Sequence, residues 1–220
     1  VQKSKMANFT GTADNDTMMG TSGADRMEGL SGNDTYFVDD VGDIVIEAVG
    51  GGNDTVITNV SYTLGAGQEI ELLRTYGSAT TNAVNLTGNE FANTIVGNAA
   101  ANVLDGKGGA DVMWGYGGAD TFAFTTALGG GNVDKIADFQ SGLDKIALDD
   151  AVFTGLGLGA LPPGAFRTGS AAADADDRIV YAPATGALYF DADGSGAGAA
   201  VQFATLGTGL PLTASDFTVI

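Results

Sequence analysis

Residues 88–123 read GNEFANTIV, GNAAANVLD, GKGGADVMW and GYGGADTFA when the chain is cut every nine residues. Glycine opens each unit, Asn or Asp stands sixth (Asn93, Asn102, Asp111, Asp120), and an apolar residue stands eighth (Ile95, Leu104, Met113, Phe122). Residues 11–46 accept the same cut: GTADNDTMM, GTSGADRME, GLSGNDTYF and VDDVGDIVI. There the sixth residues are Asp16, Asp25, Asp34 and Asp43, the eighth are Met18, Met27, Tyr36 and Val45, and only Val38 breaks the glycine column. Three chemically distinct columns held in phase over two blocks define a repeat architecture.

Within a unit the first six residues are turn chemistry, because glycine tolerates positive φ, and the last three suit a short strand. A nonamer is then half a coil, and units n and n+2 stack on one edge. Asp16 falls over Asp34, Asp25 over Asp43, Asn93 over Asp111 and Asn102 over Asp120. Two carboxylates so stacked repel by roughly 1 kcal/mol at 4 Å in water, and by more where water is thin. A cation between them relieves this, and the carbonyls exposed by glycine turns supply neutral oxygens suited to Ca²⁺. Zinc and copper want imidazole or thiolate, and the chain has no His and no Cys. Asp54 in GGGND and Asp134 in GGGNVD read as further sixth positions displaced by short insertions. The alternative is a set of glycine turns whose Asp side chains simply hydrogen-bond the backbone.

The pattern resembles GGxGxDxUx, the hemolysin-type or RTX calcium-binding nonapeptide repeat. The resemblance implies an all-β fold: a parallel β-roll with calcium-binding Gly/Asp turns, followed by a C-terminal β-sandwich-like cap, similar to the C-terminal regions of type I secreted proteins such as serralysins and mannuronan epimerases. It also implies ligand sets, each made of the second and fourth carbonyls and the Asp of one turn with the first and third carbonyls and the Asp of the turn one coil later. One set is Thr12, Asp14 and Asp16 with Gly29, Ser31 and Asp34. A second is Thr21, Gly23 and Asp25 with Val38, Asp40 and Asp43. In the second block the sets are Asn89, Phe91 and Asn93 with Gly106, Gly108 and Asp111, then Asn98, Ala100 and Asn102 with Gly115, Gly117 and Asp120. Asn93 and Asn102 leave one carboxylate per set, so these sites are expected to be weaker or empty.

Lys and Arg number 9 against 27 acidic residues, a formal charge of −18. Such a chain repels itself and offers little to nucleic acid or an anionic membrane. Bound divalent ions would offset that charge, which couples folding to metal. Without cysteine there is no disulfide framework, and no run approaches the length of a membrane-spanning helix. A metalloprotease HExxH or a Ser-His-Asp triad needs histidine, so the chain is not expected to be an enzyme.

The expected organisation is a lead-in over 1–10, with Val1 to Lys5 as an expression remnant and Met6 as either a native start or an internal residue. The roll occupies 11–124, its two arrays (11–46 and 88–123) joined by a strand-rich spacer over 47–87 that carries no metal. In the spacer Glu69 and Glu71 are expected as solvated strand positions. The cap takes 125–220. There VDKIADFQSGLDKIALDD places Asp134, Asp138 and Asp144 at turns between short strands, and the patternless 155–177 reads as a long loop or flap. DADGSG, with Asp191 and Asp193, reads as a hairpin turn. The ending LTASDFTVI resembles the uncleaved signal of type I secretion. Trp114 and Tyr116 read equally as a sugar-stacking pair or as packing between roll and cap. The expected function is a secreted, extracellular, calcium-folded protein. Its partners would be several Ca²⁺ ions, the type I secretion machinery and an extracellular polysaccharide. The alternatives are the C-terminal module of a larger secreted enzyme and an adhesin or surface-layer module.

Overall fold

The computed structural model describes residues 6–220; Val1 to Lys5 lie outside them. Nearly every regular element is a short strand. In the roll each strand starts one residue after a sixth position or at it, where the turn residues give way to alternating ones. In the first sheet Ala7–Thr10, Asp25–Glu28 and Ile44–Ile46 pair in parallel. A second sheet runs, also in parallel, through Thr17–Met19, Thr35–Val38, Thr55–Thr58, Leu72–Thr75, Thr94–Val96, Val112–Trp114 and Asp134–Ile136. A third runs through Tyr62–Thr63, Leu86–Thr87, Val103–Asp105, Thr121–Phe124, Lys145–Leu148 and Phe217–Val219. The third begins where the first ends, and the Val45 N–H donates to the Tyr62 hydroxyl at 3.3 Å.

Parallel registry puts like residues on top of one another. Met18, Tyr36, Val56, Leu73, Ile95, Met113 and Ile136 form one continuous interior column. Tyr62, Leu86, Leu104, Phe122, Ile146 and Phe217 form another. All thirteen residues are buried and belong to one hydrophobic cluster. At about 1.5–3 kcal/mol per fully buried side chain, these columns are the main favourable term of the fold. The spacer keeps to this plan: its apolar residues Val56, Tyr62, Leu73 and Leu86 continue the columns.

Register survives the insertions because the strands carry the ladder and the turns absorb the extra length. The sixth-position stack steps by 18 residues within the arrays, by 20 from Asp34 to Asp54, and by 23 from Asp111 to Asp134.

Beyond Phe124 the nine-residue period is lost, but the parallel pairing is not. Asp134–Ile136 and Lys145–Leu148 are still roll strands, and the cap strands extend the same sheets. Val201–Thr205 adds to Asp134–Ile136, and Ala187–Phe190 and Ile179–Ala182 continue antiparallel from it. The roll's two faces thus become the two faces of the cap. Edge-to-face contacts of Phe153 with Phe190 and Phe203, with ring centroids 5.2 and 5.0 Å apart, fill the space between.

The stretch 155–177 is not a structureless flap. Gly159–Ala160 pairs with Phe217–Val219, and Phe166–Thr168 pairs in parallel with Ile179–Ala182. Glycine and proline there mask two strands too short to show alternation. Within DADGSG, Asp193 Oδ2 accepts the Gly198 N–H at 2.9 Å, which makes this segment the turn of a hairpin. No helix among the described residues is long and apolar enough to cross a membrane.

Leu104 is fully buried at the middle of its column. Leu104→Ala should lower stability by about 2–5 kcal/mol, read as a shift of the urea midpoint at constant saturating calcium. A change under about 1 kcal/mol would mean that the column does not carry the fold.

Candidate metal centre

Each sixth residue sits at the junction of turn and strand, so its side chain points back into its own turn, and its N–H points at the next coil except at Asp43, whose N–H returns to the Asp40 carbonyl. The consequence is a ladder. Asp16 N–H donates to Asp34 Oδ1 at 2.7 Å, Asp34 N–H to Asp54 Oδ1 at 2.8 Å, and Asp54 N–H to Glu71 Oε2 at 2.6 Å. Along the same sheet Asn93 N–H donates to Asp111 Oδ1 at 2.7 Å and Asp111 N–H to Asp134 Oδ1 at 3.0 Å. On the other face Asp25 N–H meets Asp43 Oδ1 at 2.9 Å, Asn102 N–H meets Asp120 Oδ1 at 2.8 Å, and Asp120 N–H meets Asp144 Oδ1 at 3.0 Å. The four expected pairs therefore stack, and the displaced Asp54 and Asp134 stand in the same column.

The second side-chain oxygen divides the turns into two kinds. In the first kind the sixth side chain closes its own turn by accepting the second residue's N–H. Thr12 and Thr21 donate to Asp16 and Asp25 at 2.6 and 2.5 Å, Asp39 to Asp43 at 3.0 Å, and Asn89 and Asn98 to Asn93 and Asn102 at 3.1 and 2.8 Å. The second kind comprises GLSGND, GKGGAD and GYGGAD, where the second residue takes left-handed φ: Leu30 at 82°, Lys107 at 69° and Tyr116 at 69°. That costs a non-glycine residue about 1–2 kcal/mol. The fourth residue is then Gly32, Gly109 or Gly118, with φ of 110°, 102° and 106°. In these turns the second N–H turns away from the carboxylate. Asp34 Oδ2 and Asp111 Oδ2 are buried with no hydrogen-bond partner among the described residues, as is Asp54 Oδ2. A buried carboxylate oxygen without a donor costs several kcal/mol. Oxygen-only donors, negative and facing inward, are what a hard cation of the calcium type needs.

The expected carbonyl donors fall into two groups. The carbonyls of Gly29, Gly106 and Gly115 lie against the glycines one coil earlier: a β-carbon on Gly11, Gly88 or Gly97 would be 2.7, 2.5 and 3.0 Å from them. The Asp14, Phe91 and Ala100 carbonyls lie beside Gly32, Gly109 and Gly118 in the same way. By contrast, the Asn89 and Asn98 carbonyls accept N–H groups from Gly108 and Gly117, Asp40 accepts from Asp43, and Val38 accepts from Asn59 at 3.3 Å. Val38 stands inside Thr35–Val38, so its carbonyl is used by the sheet rather than by a turn. The Asn93 and Asn102 amides are also occupied, donating to the Ile70 and Val84 carbonyls at 2.6 and 2.7 Å.

Three acidic residues play parts that the repeat pattern did not assign. Glu71 is not a solvated strand residue: it precedes Leu72–Thr75 and fills the sixth position of the column. Asp144 caps the other column, and Glu47 is buried against the first. Trp114 and Tyr116 are 38% and 46% exposed and face each other at 6.4 Å, which removes them from the roll–cap packing.

Burial pushes the Asp54 carboxyl up to about 6, with the Asp34 N–H opposing and the charges of Glu47, Glu71 and Asp34 adding to the rise. Burial likewise takes Asp120 to about 6, with Asp144 and Asp138 adding to the rise. Asp111, Asp134, Asp144 and Glu47 are raised by the same leading cause. A folded value near 6 against about 3.9 in the open chain means that the metal-free fold binds more protons than the unfolded chain. This stabilisation is present below about pH 4 and is lost as pH rises through about 6. In chelator, the β content should therefore be higher at about pH 4.5 than at about pH 7.5, while calcium affinity should fall as pH drops through about 6. Metal-free β content that rose with pH instead would contradict the buried-carboxylate ladder.

No curated protein matches the chain. Residues 10–45 and 87–122 match the RTX calcium-binding nonapeptide repeat (4 copies), the same two blocks that carry the stacked Asp ladders. These two blocks of the parallel β-roll are RTX repeats, nonapeptides that bind Ca²⁺ with several ions across the repeats.

Proposed function

We propose that this chain is a secreted module whose chemistry is calcium binding and calcium-driven folding rather than catalysis. The observation that carries the reading is the row of inward carboxylate oxygens left without donors in a chain of net charge −18. Where calcium is scarce, repulsion along the ladders favours the open chain, which suits passage through the type I secretion machinery. Outside the cell each occupied site adds RT ln(1 + [L]/Kd), about 2.7 kcal/mol when calcium is a hundredfold above Kd, so the roll closes and stays closed. The matched repeats support this route. In the roll the ligand groups are those of Asp16, Asp34 and Asp54 and of Asp25 and Asp43, with Asp111, Asp134 and Asp120 in the second block. The chain's own part is to hold these oxygens in register by strand pairing.

One observation favours a binding role on top of this. Phe37 with Tyr76, at 6.3 Å, and Trp114 with Tyr116, at 6.4 Å, form two aromatic pairs. Tyr76, Trp114 and Tyr116 are exposed. Flat aromatic groups next to acidic turns suit an extracellular polysaccharide, with calcium bridging any acidic sugars. Trp114→Ala should then cut retention on a glycan array without changing β content, and equal retention would remove this role.

The direct test is a calcium titration followed by far-UV circular dichroism, with magnesium as control and Asp34→Ala alongside. Calcium should drive a coil-to-β transition, and the variant should need about tenfold more calcium or more. A chain equally folded in chelator would end the proposal.

A further inference from the structure

At Gly11, Gly88 and Gly97 the space beside the α-carbon is shared by two oxygens: one from the sixth side chain of the same turn, one from the carbonyl that opens the turn one coil on. A β-carbon on Gly11 would lie 2.6 Å from Asp16 Oδ2 and 2.7 Å from the Gly29 carbonyl. On Gly88 it would lie 2.5 Å from both Asn93 Oδ1 and the Gly106 carbonyl. On Gly97 it would lie 2.5 Å from Asn102 Oδ1 and 3.0 Å from the Gly115 carbonyl.

Gly29 departs from this plan. A β-carbon there would meet Asp34 Oδ2, the Tyr36 hydroxyl and, at 2.8 Å, Glu47 Oε2. Gly29 N–H donates to the Ile46 carbonyl, so Glu47 is the residue that opens the turn one coil on. A side-chain carboxylate therefore stands where the other turns present a backbone carbonyl.

Glu47 is 3% exposed, Asp34 1% and Asp54 0%. One carboxylate oxygen of each lies within 4.8 Å of the others. Asp34 Oδ1 and Asp54 Oδ1 are spent on the ladder, but Asp34 Oδ2 and Asp54 Oδ2 have no donor. Glu47 is held from outside the cluster, with Oε1 accepting the Ala48 N–H at 3.0 Å and Oε2 accepting the Tyr36 hydroxyl at 2.5 Å. The ion pairs among the described residues involve Glu28, Asp105 and Asp177, and none reaches these three carboxylates.

We propose that Asp34, Glu47 and Asp54 form a three-carboxylate cation centre in which Glu47 replaces a carbonyl ligand, making it the tightest calcium site of the first array. It rests on the calcium reading of the repeats and adds to it a ligand that the nonapeptide does not contain. Three negative charges around one small space favour a divalent ion over a monovalent one and a trivalent ion more strongly still. The Tyr36 hydroxyl fixes the Glu47 carboxylate in place, as outer partners of metal ligands do.

The test is equilibrium dialysis of the whole chain against calcium, counting ions and fitting the tightest Kd, for the wild type, Glu47→Gln and Asp120→Asn, with β content checked in each. Glu47→Gln should bind one ion fewer, or bind its tightest ion at least about tenfold more weakly, while Asp120→Asn keeps that ion. Unchanged number and affinity in Glu47→Gln, with calcium still bound, would overturn the three-carboxylate centre and leave the repeat sites standing. No calcium bound by the wild type would overturn both. Should Glu47→Gln fail to fold, terbium bound to the wild type and to Tyr36→Phe decides the matter through tyrosine-excited emission. A large loss of emission in Tyr36→Phe supports the centre, and equal emission rules it out.

Discussion

Inside this roll a carboxylate is asked to do two things at once. One oxygen accepts the N–H of the sixth residue one coil away, which locks the coils in register. That bond fixes the side chain in a buried place beside its neighbours above and below, where its charge is costly. The parallel sheets need the first half of the arrangement, and the second half creates the demand for metal. Calcium binding and register thus draw on the same carboxylates, and removing them would remove the register device as well.

The two kinds of turn grade this demand along the chain. Turns that fold their sixth side chain onto their own second N–H need less from outside. The turns with Leu30, Lys107 and Tyr116 in the left-handed region have given up that internal bond. They hold backbone strain and, at Asp34 and Asp111, an unsatisfied oxygen, a combination that persists only where something else over-determines it. Asn at 93 and 102 acts in the opposite sense, since an amide supplies the donor that a carboxylate lacks and ties the second array to the spacer through Ile70 and Val84.

The columns were readable because a fixed period puts one residue type at one place in every coil. Asp16 over Asp34 and Asn102 over Asp120 come from counting alone. Asp54 and Asp134 could still be found after insertions because a Gly-rich run precedes each. Glu71 and Glu47 could not. Glu71 follows the turn at Gly65–Gly67, but Glu69, Ile70, Glu71 and Leu72 alternate polar and apolar as strand residues would, while Glu47 opens a turn lengthened by two residues, so the count no longer points to the glycine column. In the cap the individual strands show in the alternation of RIVYA and ALYF. Their partners do not, because the pairing of Lys145–Leu148 with Phe217–Val219 spans about seventy residues with no repeat to measure it by. The strands within 155–177 are two or three residues long, too short for any period to register.

Parallel coils stacked along one axis also have a mechanical meaning. Each coil of 18 residues takes up only about 4.8 Å of axis, the spacing between paired strands, yet it contains about 60 Å of chain when drawn out. The ladder bonds lie along that axis, so tension applied there loads one rung at a time rather than all together. A roll anchored at both ends would lengthen about tenfold coil by coil, and calcium held between neighbouring turns, as proposed above, would raise the force at which each coil gives way.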